Sequence, residues 1–313
     1  MSDQKEAADT SLPLPVFPVF APIDIALQDE CEKILHKASG GISELTFAGL
    51  YLFRRRYNYR LSVLLDSVEN PEVKGRILVV SGEWEGKKFF ILSPSAPGIE
   101  TIKQLFTTHD YWKLIPESVI NSRAAQLSAG GMVLTEDRDN FDYIYTRESL
   151  ATLAGKKLQK KRNLVNAFRN TYGETELRTL GKDNAADAMR VLLRWQADKG
   201  EEGDFAAAKE ALELQSRLKL EGKILYVRNK PIAYCLGEAI ADGSMFTVHF
   251  EKGIEEYKGV YQAINMFFAA SLDEAYTHIN REQDLGEEGM RQAKETYRPC
   301  GFVKKWIASN PAG

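Results

Sequence analysis

The chain has 313 residues, 44% of them hydrophobic and 27% charged, with a formal net charge of −3. That apolar content excludes intrinsic disorder, and the length suits two ordinary domains or one large α/β domain. A pI near 6.0 gives no global attraction for nucleic acid, so any anion site must be local.

The cysteines Cys31, Cys235 and Cys300 are far apart, which excludes a C-x-x-C motif and disfavours a disulfide scaffold or a zinc site. The histidines His36, His109, His249 and His278 are scattered too, so no metal is expected. The apolar stretch from Leu12 to Leu27 contains Pro13, Pro15, Pro18, Pro22 and Asp24, which cannot form an uninterrupted spanning helix. With a polar N-terminus before it, the chain reads as soluble and cytoplasmic.

In chain order, a tail over 1–11 and a proline-rich lead-in over 12–22 precede helices 24–38 and 43–54. The second helix ends in Arg54-Arg55-Arg56, cations that complement its dipole. Strands 59–65, 75–81 and 87–92 follow, with a hairpin turn in 81–86 where Gly82 and Gly86 can supply positive φ. Helix 98–109, strand 112–115, helix 117–128 and strand 132–135 complete the first half. The polar run Asp137-Arg138-Asp139-Asn140 marks a boundary.

The second half begins with strand 142–145, helix 147–153, a basic helix 156–172 and strand 174–180. Helices 182–199 and 204–219 then lead to strands 223–228, 231–240 and 244–251. Helix 258–274, strand 276–280, helix 287–297 and a last strand 301–308 close the chain. In helix 258–274, Val260, Tyr261, Ile264, Phe267, Phe268 and Leu272 recur at helical spacing, one face for a sheet. Residues 24–135 and 182–308 share the order ααβββαβαβ without sharing sequence, which predicts a tandem α/β fold with mixed sheets. The expected division is 1–22 as tail and lead-in, 23–139 as an N-terminal domain and 140–313 as a C-terminal domain.

With its leading strand at 174–180, this order looks like the Gcn5-related N-acetyltransferase (GNAT) fold. Several strings narrow it: Phe141–Tyr145, Gly155–Asn163, His249–Lys252, Tyr257–Asn265 and Ile279–Lys294. Together they resemble a bacterial family grouped with the phosphatidylglycerol lysyltransferase C-terminal domain, similar to tandem GNAT-fold, acyl-CoA N-acyltransferase-like proteins. The resemblance implies acyl or aminoacyl transfer from acyl-CoA or aminoacyl-tRNA onto an amine or hydroxyl acceptor. It also implies a structural first half, whose counterpart of the pyrophosphate turn, Ser93–Gly98, has two prolines and no cation.

The candidate residues form several groups. Lys156, Lys160, Lys161 and Arg162 sit in the first turns of their helix, where the dipole is already positive, so an anion there would remove a conflict. GNAT folds hold the pyrophosphate of coenzyme A at a turn of pattern R/Q-x-x-G-x-G/A. Here the string is Glu256-Tyr257-Lys258-Gly259-Val260-Tyr261, which leaves Lys258 and Gly259 for that role. Along strand 244–251, Thr247, His249 and Glu251 alternate with Phe246, Val248 and Phe250, so His249 or Glu251 can serve as general base. Asn280, Arg281, Glu282 and Asp284 form a dense polar string that can orient an acceptor. Arg291, Lys294 and Arg298 make a basic stripe for a polyanionic donor. By the resemblance, Tyr297 takes the place of a general acid for the leaving group.

Each group also has a plain structural reading: a solvated charged face, a helix-start glycine, a satisfied core histidine, a helix cap or a core-edge tyrosine. Two functional alternatives stay open, a non-catalytic sensor of CoA-like or nucleotide ligands and an RNA-binding module using the 156–169 face. No serine nucleophile elbow, P-loop or dinucleotide fingerprint is present.

Overall fold

The computed structural model describes residues 14–35, 40–65, 75–93, 95–200 and 203–310. The expected tail over 1–11, together with His36 and Pro94, lies outside the described residues.

The first half starts with β1 (Ala21–Pro22), α1 (Gln28–Leu35) and α2 (Phe47–Phe53). Both helices begin later than expected because of their caps. A 3₁₀ turn over Ile25–Leu27 precedes α1, with the Asp24 carboxylate accepting from the Ala26 N–H. The Thr46 hydroxyl accepts from the Gly49 N–H at 2.9 Å and sets the start of α2. A meander of β2 (Arg60–Leu65), β3 (Arg76–Trp84) and β4 (Lys87–Ser93) follows. Its tight turn uses Glu85 and Gly86 at φ of 52° and 76°, the left-handed pair that such hairpins need. Then come α3 (Ile99–Phe106), β5 (Tyr111–Pro116), α4 (Glu117–Ala129) and β6 (Val133–Glu136).

The second half runs β7 (Asp142–Thr146), α5 (Arg147–Thr152), α6 (Gln159–Tyr172), β8 (Thr175–Thr179), α7 (Ala185–Lys199) and α8 (Phe205–Glu213). It continues with β9 (Glu221–Val227), β10 (Lys230–Ile240), β11 (Met245–Gly253), α9 (Val260–Ser271) and β12 (His278–Asn280). The chain finishes with α10 (Glu288–Glu295), β13 (Gly301–Val303) and β14 (Lys305–Ser309).

Two seven-stranded mixed sheets result, ordered β1-β2-β3-β4-β5-β14-β6 and β13-β7-β12-β11-β10-β9-β8. This is a tandem GNAT-like α/β architecture. The last strand, expected as one unit over 301–308, is two strands that part at Lys304 and enter different sheets. β14 lies between β5 and β6 of the first sheet, and β7 takes the matching place between β12 and β13 of the second.

Among the described residues, buried apolar side chains form three clusters. One joins the facing layers of both halves, including Leu50 of α2, Val80 of β3, Val191 of α7, Ala208 of α8 and Phe250 of β11. Arg54 crosses this junction to make two hydrogen bonds with the Glu210 carboxylate, at 2.8 and 2.7 Å. The other clusters lie on the outer faces, one under α3 and α4 and one under α5, α6 and α9.

The strand pairing of β10 and β11 is irregular where it matters most. Leu236 pairs with Phe250 and Gly237 with Val248, so His249 is an extra residue in β11, a β-bulge. Glycine is required opposite it, since a Cβ on Gly237 would stand 1.9 Å from the Thr247 carbonyl oxygen. The bulge overturns the simple alternation expected along 244–251. Phe246 and Val248 face the outer cluster, whereas Phe250 faces the inter-half cluster and stacks with Phe53 at 6.4 Å.

Candidate functional site

A cavity of about 320 Å³ opens between the two halves, beside the bulge. Its second-half wall carries His249, Glu251, Lys252, Arg281, Glu282 and Lys294. Its first-half wall carries Glu44, Arg56, Tyr57 and Lys113. The first half, expected to be structural, therefore helps to build the cavity.

His249 is almost fully buried and lies between two carboxylates, with Nδ1 2.7 Å from Glu282 and Nε2 2.9 Å from Glu238. Burial disfavours its cation, but hydrogen bonds to Glu238 and Glu282 outweigh that and push its pKa up to about 10. Both ring nitrogens then donate, so the imidazolium cannot be the general base expected of it. It holds Glu282 at the cavity wall instead. Glu251 pairs with Arg281 at 3.1 Å and accepts from Asn265 of α9 at 3.3 Å. Arg281 lies 5.0 Å from the Tyr297 ring centroid and 6.0 Å from that of Tyr145.

The loop after β12 is held from behind. Lys294 of α10 donates to the carbonyl oxygens of Arg281, Glu282 and Gln283 at 2.7, 3.1 and 2.5 Å. Burial and the neighbouring Arg281 charge push its pKa down to about 8. Glu282 itself has a left-handed φ of 57°, and its N–H donates to the Asn280 side-chain oxygen at 2.7 Å. Strained backbone braced on both sides is a recurrent mark of functional loops.

Asn280 turns away from the cavity and donates to Asp142 at 3.1 Å and to the Gly41 carbonyl at 2.8 Å. Asp142 is fully buried and also accepts from Lys305 at 2.8 Å and from the Ser43 hydroxyl at 2.9 Å. Lys305 reaches Glu44 at 2.5 Å. Burial raises the Glu44 pKa, against the opposing charge of Lys305.

Several expected donor-binding groups are committed elsewhere. Asp284 accepts from Tyr143 at 2.6 Å and from Arg291 through two nitrogens at 2.9 Å, so it is a loop anchor. Arg291 is consumed by Asp284 and Asp139. Arg162 donates to the carbonyls of Leu153 and Gly155, at the end of α5. That contact removes part of the charge conflict inferred for the basic helix, because the guanidinium meets the negative end of another helix. Lys161 stands 4.3 Å over the Tyr297 ring. Lys156, Lys160 and Arg298 are exposed, and none of them lines the cavity. Of the two basic groups, only Lys294 lines the cavity between the halves.

The turn expected to hold a pyrophosphate is filled from within. The Lys258 N–H donates to the Tyr172 hydroxyl at 2.9 Å, and Tyr172 packs on Tyr257 at 5.1 Å. Gly259 has φ of 88°, and a Cβ there would stand 3.1 Å from the Leu164 carbonyl of α6. Gly259 thus serves close packing of α6 on the start of α9, and Lys258 is exposed. A coenzyme A pyrophosphate does not fit this turn as it stands. Tyr297 is buried behind Arg281 and does not line the cavity; burial pushes its pKa up to about 12.

Charged cavity residues that were not among the sequence candidates include Glu44, Lys113, Asp204 and Lys252. Lys252 pairs with Asp204 at 2.6 Å and sits 3.8 Å over the Trp195 ring. Only the neighbouring Glu251 hinted at Lys252, and nothing local marked Glu44 or Lys113.

The family described as phosphatidylglycerol lysyltransferase, C-terminal, matches residues 38–309. A conserved protein of unknown function from Bacteroides thetaiotaomicron superposes with a TM-score of 0.81 at 29% identity, covering 93% of this chain and 99% of that one. The L-PGS of Bacillus licheniformis superposes at 0.60 with 16% identity, over 92% of both chains, a likeness of fold. An uncharacterised protein of Mycoplasmoides gallisepticum is 25% identical over 185 residues, 56% of this chain. That match spans only 57% of the relative's own length. Among the described residues, no helix is long and apolar enough to cross a membrane.

Proposed function

Because the chain belongs to the phosphatidylglycerol lysyltransferase C-terminal family, we propose that it is an aminoacyl- or acyltransferase whose reaction takes place in the cavity between its halves. The observation that carries this is the pairing of Glu282, held by the His249 imidazolium, with the Arg281–Glu251 pair beside it. In the proposed step the acceptor amine or hydroxyl attacks the carbonyl carbon of the donor. Glu282 receives the acceptor's proton, and the Arg281 cation stabilises the oxyanion of the tetrahedral intermediate. Collapse breaks the donor's C–O bond, and the released hydroxyl takes the proton back from Glu282.

Two features favour an aminoacyl ester of RNA over a thioester of coenzyme A. Tyr172 and α6 fill the pyrophosphate turn, and exposed Lys156 and Lys160 leave a basic surface outside it. An RNA donor making roughly six to ten phosphate contacts loses on the order of 10³–10⁵ in affinity between about 50 and 200 mM salt, by analogy with duplex DNA. Binding of charged tRNA and of acetyl-CoA across that range, for the wild type and for Lys156→Glu with Lys160→Glu, separates the donors. Transfer of a radiolabelled amino acid from tRNA to an amine should fall by roughly 10²–10⁴ in Glu282→Gln. Unchanged turnover in that variant excludes the assigned base, and consumption of thioester alone excludes the RNA donor.

A further inference from the structure

A second cavity, of about 420 Å³, lies against β2, β3 and β4 of the first sheet and shares no lining residue with the cavity between the halves. Its walls include Ser81 of β3, His109 after α3, Arg60 of β2, Lys88 of β4 and Phe20 of the lead-in. Ser81 Oγ stands 2.9 Å from His109 Nε2. On the other side of the ring, Nδ1 lies 3.0 Å from the Leu105 carbonyl oxygen. A carbonyl can only accept, so Nδ1 carries the hydrogen and the neutral ring leaves its lone pair on Nε2. The Ser81 hydroxyl must then donate to that lone pair. This is the relation between a nucleophilic hydroxyl and its base, with a main-chain carbonyl orienting the ring where a carboxylate often does.

The surroundings keep the imidazole neutral. His109 is buried against the rings of Phe90 and Phe20, at 5.6 and 6.1 Å. That burial lowers its pKa; the Leu105 carbonyl and the Asp110 charge oppose the shift and the Lys88 charge supports it. Ser81 is partly exposed. The Thr108 hydroxyl also touches Nδ1, at 3.0 Å, and Arg60, Glu83 and Lys88 are the charged residues of the wall.

We propose that Ser81 and His109 form a second reactive centre, a serine nucleophile with its general base, open to small carboxylic esters. The Ser81 oxygen attacks the ester carbonyl while its proton passes to His109 Nε2. The tetrahedral intermediate, with its charge facing Arg60 or Lys88, expels the alcohol, which leaves with that proton. Water then attacks the acyl-serine, giving its proton to Nε2; collapse of the second intermediate returns that proton to Ser81 and releases the carboxylic acid.

A fluorophosphonate probe tests this on the whole chain, because phosphonylation of serine with loss of fluoride needs the same activated hydroxyl. Peptide mass spectrometry should place the adduct on Ser81, and hydrolysis of 4-nitrophenyl acetate should show a matching activity. Ser81→Ala should abolish both while leaving the thermal midpoint and aminoacyl transfer intact, since Ser81 does not line the transfer cavity. His109→Gln should slow labelling by roughly 10²-fold or more. The labelling rate should be flat from pH 7 to 9 and fall in acid as the ring protonates. Absent labelling, or labelling unaffected by His109→Gln, would overturn the proposal and leave a structural hydrogen bond.

Discussion

At the scale of single residues, His249 shows how neighbours reverse the role that a residue type suggests. A histidine on a sheet near its C-terminal end reads as a base, yet two carboxylates make this one a fixed cation. Its pKa near 10 exceeds the ordinary 6.5, so the folded state binds its proton more tightly than the unfolded chain does. The stability this supplies is fully present below pH 6.5 and is lost as pH rises through about 10. Histidine resonances of the native protein should therefore include one that does not titrate between pH 5 and 8. Replacing His249 by Leu leaves Glu238 and Glu282 facing each other without their cation, at a cost of about 1–3 kcal/mol in urea unfolding at pH 7. The stability gap between wild type and variant should narrow as pH approaches 10; a gap constant with pH counts against the imidazolium.

At the scale of elements, the bulge in β11 depends on one glycine in the partner strand. Gly237→Ala pushes a methyl group into the Thr247 backbone, and overpacking of this kind costs about 1–3 kcal/mol. Denaturant midpoints should show that loss, and hydrogen exchange should quicken in β10 and β11 before the first sheet. The element order was legible because periodicity is local: Val260, Ile264 and Phe268 mark α9, and the β2–β4 meander is bounded by turn residues. The polar loop 280–284 stood out for a similar reason; Arg281, Glu282 and Gln283 line the cavity, while Asn280 and Asp284 anchor the loop. What stayed hidden depends on pairing between distant segments. The extra residue at His249 is defined only by its register against Leu236 and Gly237. Arg162 and Arg291 look free in the chain, and their partners lie across loops and helices. Tyr172 gave no local sign that it fills a turn at Lys258.

At the scale of the whole molecule, the exchanged strands tie the halves together. Lys305 of β14 is fully buried and joins Glu44 of the first half to Asp142 of β7, beside Ser43 and Asn280. Removing residues 304–313 should open the first sheet between β5 and β6 and leave Asp142 buried without its cation, at a cost of about 3–5 kcal/mol from the stranded charge alone. Faster amide exchange in β5 and β6 than in β13, the strand next to the cut, would report this; faster exchange only at β13 would refute it. The same topology sets an order of events during synthesis. A nascent chain that has delivered β1 to β6 from the ribosome has an open groove where β14 belongs, and it must wait until β14 follows the second half. The first half is translated early but finished last, so a stalled or clipped chain carries an unpaired pair of strand edges, the surface that quality-control chaperones and proteases recognise.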